Sequence, residues 1–217
     1  MPSSRSPRVT IKRGILADIN RSALATPALN NQYQVQINVN GTGDRNRLVK
    51  YINKNYGVNR RWILDNVGVA CYDATIPTSS FATAEVKDNF HGINQQFAHT
   101  RLYVDSDFSF YVDDDYRVLK FFEGWMDFIS SGGSASENSN NYYRRMQYPS
   151  EYKCDGITIT KFDKNVNNSI THQFKNAFPK AIQSIPVQYG AADLLKVTVS
   201  FAYDRYTVIP NRQRFPY

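Results

Sequence analysis

The chain has 217 residues, 26 basic against 19 acidic, 41% of them hydrophobic and 14% aromatic. That length suffices for one domain with a real core, and so apolar a composition excludes a disordered chain. No stretch approaches the roughly 18 apolar residues of a spanning helix and the N-terminus lacks an apolar signal core, so neither a membrane anchor nor signal-directed secretion is expected.

The first 30 residues read as an arm. Arg5, Arg8, Lys12 and Arg13 lie among Ser and Pro with no acid nearby, a composition that needs a neighbour to order it, and a short helix is expected over residues 15–26. Tyr33, Val35, Ile37 and Val39 alternate with Gln and Asn, which predicts a strand with one polar face. Residues 41–62 are basic, polar and punctuated by glycine, and they read as a long inserted loop carrying Arg45, Arg47, Lys50, Lys54, Arg60 and Arg61 against Asp44 alone. Leu48, Tyr51, Ile52, Tyr56 and Trp62 within it are costly to leave in water and are expected to dock on another surface.

From Val67 strands follow quickly. A strand ends at Pro77, and residues 81–90 and 93–104 flank a turn around Asn89–Gly92 as a hairpin. Leu102 and Val104, then Phe108, Phe110 and Val112, alternate as the inward faces of half-buried strands. Val118, Phe121, Phe122, Trp125, Met126 and Ile129 then recur at steps of three and four. This predicts an amphipathic helix whose Phe121, Phe122, Trp125 and Ile129 cover a sheet. Asp113, Asp114 and Asp115 are expected to cap it and Gly132 and Gly133 to end it. Residues 131–141 are a low-complexity loop. A second hairpin runs through Ile157, Ile159 and Phe174, interleaved with Thr158, Thr160, Thr171 and Gln173. Pro179 and Pro186 confine the next piece to a sheet edge or crossover, and Leu195, Val197, Val199 and Phe201 form the inward face of a final strand. The predicted class is all-β, a β-sandwich or split barrel with one covering helix and long loop insertions: an arm over 1–30, a domain over 31–210 with the insert at 41–62, and a tail over 211–217. Cys71 and Cys154 sit in strand-like runs, too few for a disulfide framework, and read as reduced core thiols.

Phe97, Ala98, Arg101, Phe108, Phe110, Asp113 to Asp115, Phe121 and Trp125, in that order, resemble the tail tube proteins of contractile-tailed, myovirus-like bacteriophages. That family includes tube-fold baseplate and tube-initiator proteins and shares its fold with the type VI secretion tube protein. The resemblance extends over residues 30–40 and 67–206, although the glycine the family usually carries near Val104 or Asp105 is absent. It implies a structural virion protein of the phage tail, assembled in the host bacterial cytoplasm. It also implies hexameric rings that close a β-barrel around a channel for genome DNA ejection, in the main tube or at the baseplate junction as an initiator. The long 41–62 insert, the missing glycine and the Arg-rich C-terminal tail tilt that choice toward the junction. The implied partners are the protein itself, adjacent tube or baseplate rings and the tail sheath, with DNA passing unbound. A lining that lets DNA slide must lack cations. Thr83, Glu85, Thr158, Thr160, Thr171 and Gln173 are the expected lumen residues, with Lys87 and Lys161 turned away. Arg45, Arg47, Tyr51, Tyr56, Arg60 and Arg61 are expected to meet the next ring or another partner.

The alternative is a sequence-independent nucleic-acid-binding β-barrel, which the net charge of +7 permits. It requires basic residues among exposed aromatics on one sheet, whereas the bases cluster on the arm and insert and Phe97, Phe108 and Phe110 read as core. Catalysis is not expected. His91, His99 and His172 form no HExxH motif, the Asp113–Asp115 run lacks the spacing of a calcium loop, and Gly41–Gly43 lack a phosphate-loop lysine, so neither metal nor other cofactor is implied.

Overall fold

The computed structural model describes residues 29–39, 45–87, 92–130, 146–163, 168–187, 189–190 and 193–212. The expected helix at 15–26, the basic arm, Gly132 and Gly133, the 131–141 loop and the last five residues lie outside them.

Two four-stranded antiparallel sheets make the body. Sheet A orders β1 (Tyr33–Ile37), β6 (Ile157–Phe162), β7 (Asn168–Lys175) and β10 (Arg205–Arg212). Sheet B orders β2 (Cys71–Ala74), β5 (Ser106–Tyr111), β9 (Lys196–Ala202) and β8 (Phe178–Ile182). Their inner faces meet. Val35, Ile37, Ile157, Ile159 and Phe174 of sheet A, and Phe108, Phe110, Val197, Val199 and Phe201 of sheet B, are all buried. Phe108 stands edge-on to Phe174 across the gap, with ring centroids 5.8 Å apart. The alternation that the sequence predicts in β1, β5, β6 and β9 is therefore the alternation of a sandwich. β8, which holds Pro179, is an edge strand, where a missing N–H costs a sheet least. The hairpin of β3 (Ser79–Val86) and β4 (Gln95–Tyr103) stands apart as a two-stranded sheet of its own.

α3 (Arg117–Ile129) covers the sandwich as expected, and the all-β class with a covering helix holds. Phe121, Phe122 and Trp125 are fully buried, with Phe122 4.9 Å from the Phe110 ring and Trp125 6.4 Å from Phe201. Trp125 Nε1 donates to Tyr152 O at 3.1 Å, so the one polar atom of this side chain is satisfied where water is excluded. Ile129 is half-buried at the helix end. The capping differs from expectation. Tyr116, in the left-handed region at φ 56°, occupies the N-cap, while Asp113 Oδ1 accepts from Arg117 N at 2.8 Å and Asp115 pairs with Arg117.

The reading of 41–62 as a loop is corrected. Its described part forms α1 (Arg45–Tyr56) and α2 (Arg60–Asn66), the latter capped by Asn59 Oδ1 accepting from Arg61 N. The surface on which its apolar residues dock belongs to this same chain. Leu48 and Ile52 are fully buried, and α1 lies across α3 where Gly124 permits close approach. A Cβ there would sit 2.9 Å from the Tyr56 ring. Leu48, Ile52 and Tyr56 fall at four-residue steps, a helical stripe that the dense Arg, Lys and Asn between them conceal. α4 (Pro149–Tyr152) is a single turn beside α1 and α3.

Two further expectations fail. Phe97, Leu102 and Val104 are not inward: they are 54%, 49% and 58% exposed, because no sheet or helix among the described residues lies over the hairpin that holds the first two. The last strand is not β9. β10 follows it and pairs along its whole length with β7, its signal masked by Asp204, Arg205 and Pro210.

Candidate assembly surfaces

Because strand side chains alternate, the buried residues of sheet A dictate what its other face presents. Two cross-strand rows emerge. One runs Gln34, Thr160, Thr171, Ile209 and the other Gln36, Thr158, Gln173, Thr207. Neither contains a charge, but the next pair on the same face, Lys175 and Arg205, puts two cations at its end. Thr160 Oγ1 and Thr171 Oγ1 lie 3.0 Å apart, and Gln173 Nε2 donates to Asp155 O at 3.0 Å, so these three side chains are tied into the sheet. The structure thus brings Thr158, Thr160, Thr171 and Gln173 together on one outward face. Lys161 lies on the opposite side, its Nζ reaching Gln32 O at 3.4 Å. Gln34 and Gln36 were legible as the polar half of the first strand, whereas Thr207 and Ile209 could not be placed until β10 was known.

Both ends of this sheet are edges. Among the described residues β1 and β10 each have one paired neighbour, and a cleft of about 630 Å³ opens beside β1, lined by Asn30, Tyr33, Gln34, Gly68, Val69 and Tyr72. Unpaired edges invite another strand.

Thr83 and Glu85 are not part of that face; they sit on the β3–β4 hairpin, where Glu85 pairs with Lys87 at 3.3 Å. The register, with its bulge between Ala82 and Thr83, sorts the hairpin into two faces. One carries Thr83, Glu85, Gln96 and Arg101 with Phe81, which is 60% exposed. The other carries Ala82, Ala84, Val86, Phe97 and Leu102. A lone two-stranded hairpin is marginal in water, and this one shows apolar side chains on both faces.

The residues expected to meet a partner divide. Arg47 Nη1 donates to Glu151 Oε1 at 2.7 Å, and Tyr51 and Tyr56 both donate to Asp127 Oδ2, at 3.0 and 2.9 Å. Burial first, then the Asp127 hydrogen bond, push the Tyr56 phenol well above its ordinary pKa. These three side chains clamp α1 onto α3 and α4. Arg45 opens α1. Arg60 and Arg61 stay outward, Arg61 only 3.7 Å from the exposed Asp65. Among the described residues no group of His, Cys, Asp and Glu could hold a metal ion, and no helix is long and apolar enough to cross a membrane.

The sequence that folds into this sandwich matches a family model described as phage tail tube protein over residues 28–209. The chain belongs to this family. It is a structural tail protein and not an enzyme. No curated protein matches the sequence. Among solved structures, the chain is similar to one titled as the sheath–tube complex of an extracellular contractile injection system, PVC, in its extended state. Identity is 16%, coverage 91% of this chain and 97% of that one, and the TM-score 0.51. The baseplate of the anti-feeding prophage is matched at 11% identity over 85% of this chain and 96% of that one, with a TM-score of 0.52. The cap that terminates the tube of the same prophage follows at 14% over 85% and 92%, with a TM-score of 0.50. At these identities the likeness is one of fold, and that fold spans nearly the whole tail tube domain.

Proposed function

We propose that this tail tube family member forms hexameric rings that stack into a conduit for genome DNA. The observation that carries the reading is sheet A, unpaired at both edges and uncharged on the two outward rows. A contact from the β10 edge of one copy to the β1 edge of the next is heterologous and closes only as a ring. The number six comes from the resemblance to the family. Within such a ring the Thr and Gln rows line the bore, where they offer phosphates hydrogen-bonding partners without the counterion release that makes binding strong.

The β3–β4 hairpin projects from the body as an arm, and the apolar side chains on it are covered by a neighbouring copy. Arg60 and Arg61 face outward toward further tail partners, rings above and below, sheath or baseplate. The packing of α1 and α2 into the body removes the main reason to favour a junction ring, since the supposed insert is part of the fold. The main tube subunit is therefore the version preferred.

Electron microscopy of the purified full chain tests this. Stacked tubes of sixfold rings are the expected result. Single rings that elongate only on a baseplate shift the assignment to the junction. A stable monomer that binds duplex DNA with strong salt dependence overturns the reading in favour of a nucleic-acid-binding barrel.

A further inference from the structure

An arm that must meet a neighbour at one angle needs something at its root to set that angle. Among the described residues the hairpin has no sheet neighbour, so its orientation is decided by side chains where β3 begins and β4 ends. One cluster does this. Arg101, near the end of β4, donates from Nε to Ser79 Oγ at 2.9 Å and from Nη2 to the Tyr206 hydroxyl at 3.3 Å, and Ser79 Oγ lies 3.2 Å from that same hydroxyl. Its guanidinium lies beside both rings of a perpendicular pair, 5.3 Å from the centroid of Tyr103 and 5.5 Å from that of Tyr206. Tyr103 is edge-on to Tyr206 at 5.7 Å, and Tyr203 is edge-on to core Phe174 at 4.8 Å and donates to Val104 O at 2.6 Å. Both strands of the arm are thereby fastened to the β9–β10 turn and to the core.

We propose that Arg101 is the positioning residue of this arm: clasped by Tyr103 and Tyr206, it fixes the angle at which the β3–β4 hairpin is presented to a second copy of the chain. This rests on the reading that the arm meets a neighbouring subunit. A planar fork that packs beside two rings and donates in two directions holds an angle in a way a flexible ammonium does not. Preorganisation of the arm lowers the ordering cost of each contact in the assembly.

The test places spin labels on Glu85→Cys in the arm and Thr158→Cys in sheet A, and measures their distance distribution in unassembled protein. With Arg101 present the distribution is narrow. Arg101→Ala broadens it, Arg101→Lys broadens it almost as much, and Tyr206→Phe, which keeps the ring, broadens it less. The melting temperature of the body stays unchanged throughout. In parallel, the concentration needed for assembly rises about tenfold or more in Arg101→Ala. An unchanged distribution, or an equally broad one in the parent protein, overturns the proposal. So does a broadened distribution with unaltered assembly. If the parent protein forms no rings, the ring reading fails separately, and the distances still decide the clasp. If Arg101→Ala does not fold, Arg101→Lys and Tyr206→Phe carry the same comparison.

Discussion

The chain contains two long hairpins that read alike in sequence and end differently in space. β6–β7 alternates Ile157 and Ile159 with Thr158 and Thr160, and β3–β4 alternates Ala82, Ala84 and Val86 with Thr83 and Glu85. The first is flanked by β1 and β10 and buries Ile157, Ile159, His172 and Phe174 against sheet B. The second has no flanking strand and buries almost nothing. Alternation says that one face of a strand is to be covered. It does not say whether the cover comes from the same chain, and in a protein built to assemble the difference separates folding residues from contact residues.

The largest effects should fall on the covered hairpin and the helix above it. Phe174→Ala and Trp125→Ala each leave a cavity in the core and are expected to cost roughly 3–5 kcal/mol in urea unfolding of the unassembled chain. Phe97→Ala, an aromatic truncation on the other hairpin, should stay within about 0.5 kcal/mol while assembly fails. Equal losses at Phe174 and Phe97 would erase the distinction between the two hairpins.

A smaller effect sharpens it through pH. His172 lies on the inner face of β7, and burial holds its imidazole pKa below the ordinary 6.5. The unfolded chain takes up a proton as pH falls through that ordinary value while the folded chain resists. Stability should therefore be full above it and decline as pH drops toward the folded-state pKa. Unfolding midpoints across this range should show the slope, and His172→Gln should flatten it. The smallest effect on stability belongs to the outward rows. Thr171→Lys should leave unfolding within about 0.5 kcal/mol, yet assembled rings carrying it should retain DNA in a salt-dependent manner that parent rings do not. Retention by both, or by neither, would remove sheet A from the bore.

Much of the sandwich was legible because its strands and helix repeat at periods that chemistry enforces. The stripe of Phe121, Phe122 and Trp125 could only be a helix facing a core, and the Thr and Gln positions of β6 and β7 could only share a face. The errors came where period and partner were separable. Leu48, Ile52 and Tyr56 were spaced as a helix but diluted by charge, and their partner, α3, lies some seventy residues further on. Phe97 and Leu102 carried the period of a buried strand with nothing among the described residues to bury them. Arg101 was visible in sequence only as a motif position. Its task needs Tyr206, more than a hundred residues away, and that pairing exists only once β10 lies beside β7.

The amino-acid order alone thus determined which residues must leave water and on which side of each strand or helix they stand, because that follows from local geometry and the hydrophobic effect. The tertiary structure decided which surface receives them: that α1 is held by Asp127 and Gly124 of its own chain, that β10 completes the polar face, and that one hairpin is left without cover. Those choices depend on contacts between residues far apart in sequence, and only the closed chain brings them within reach of one another.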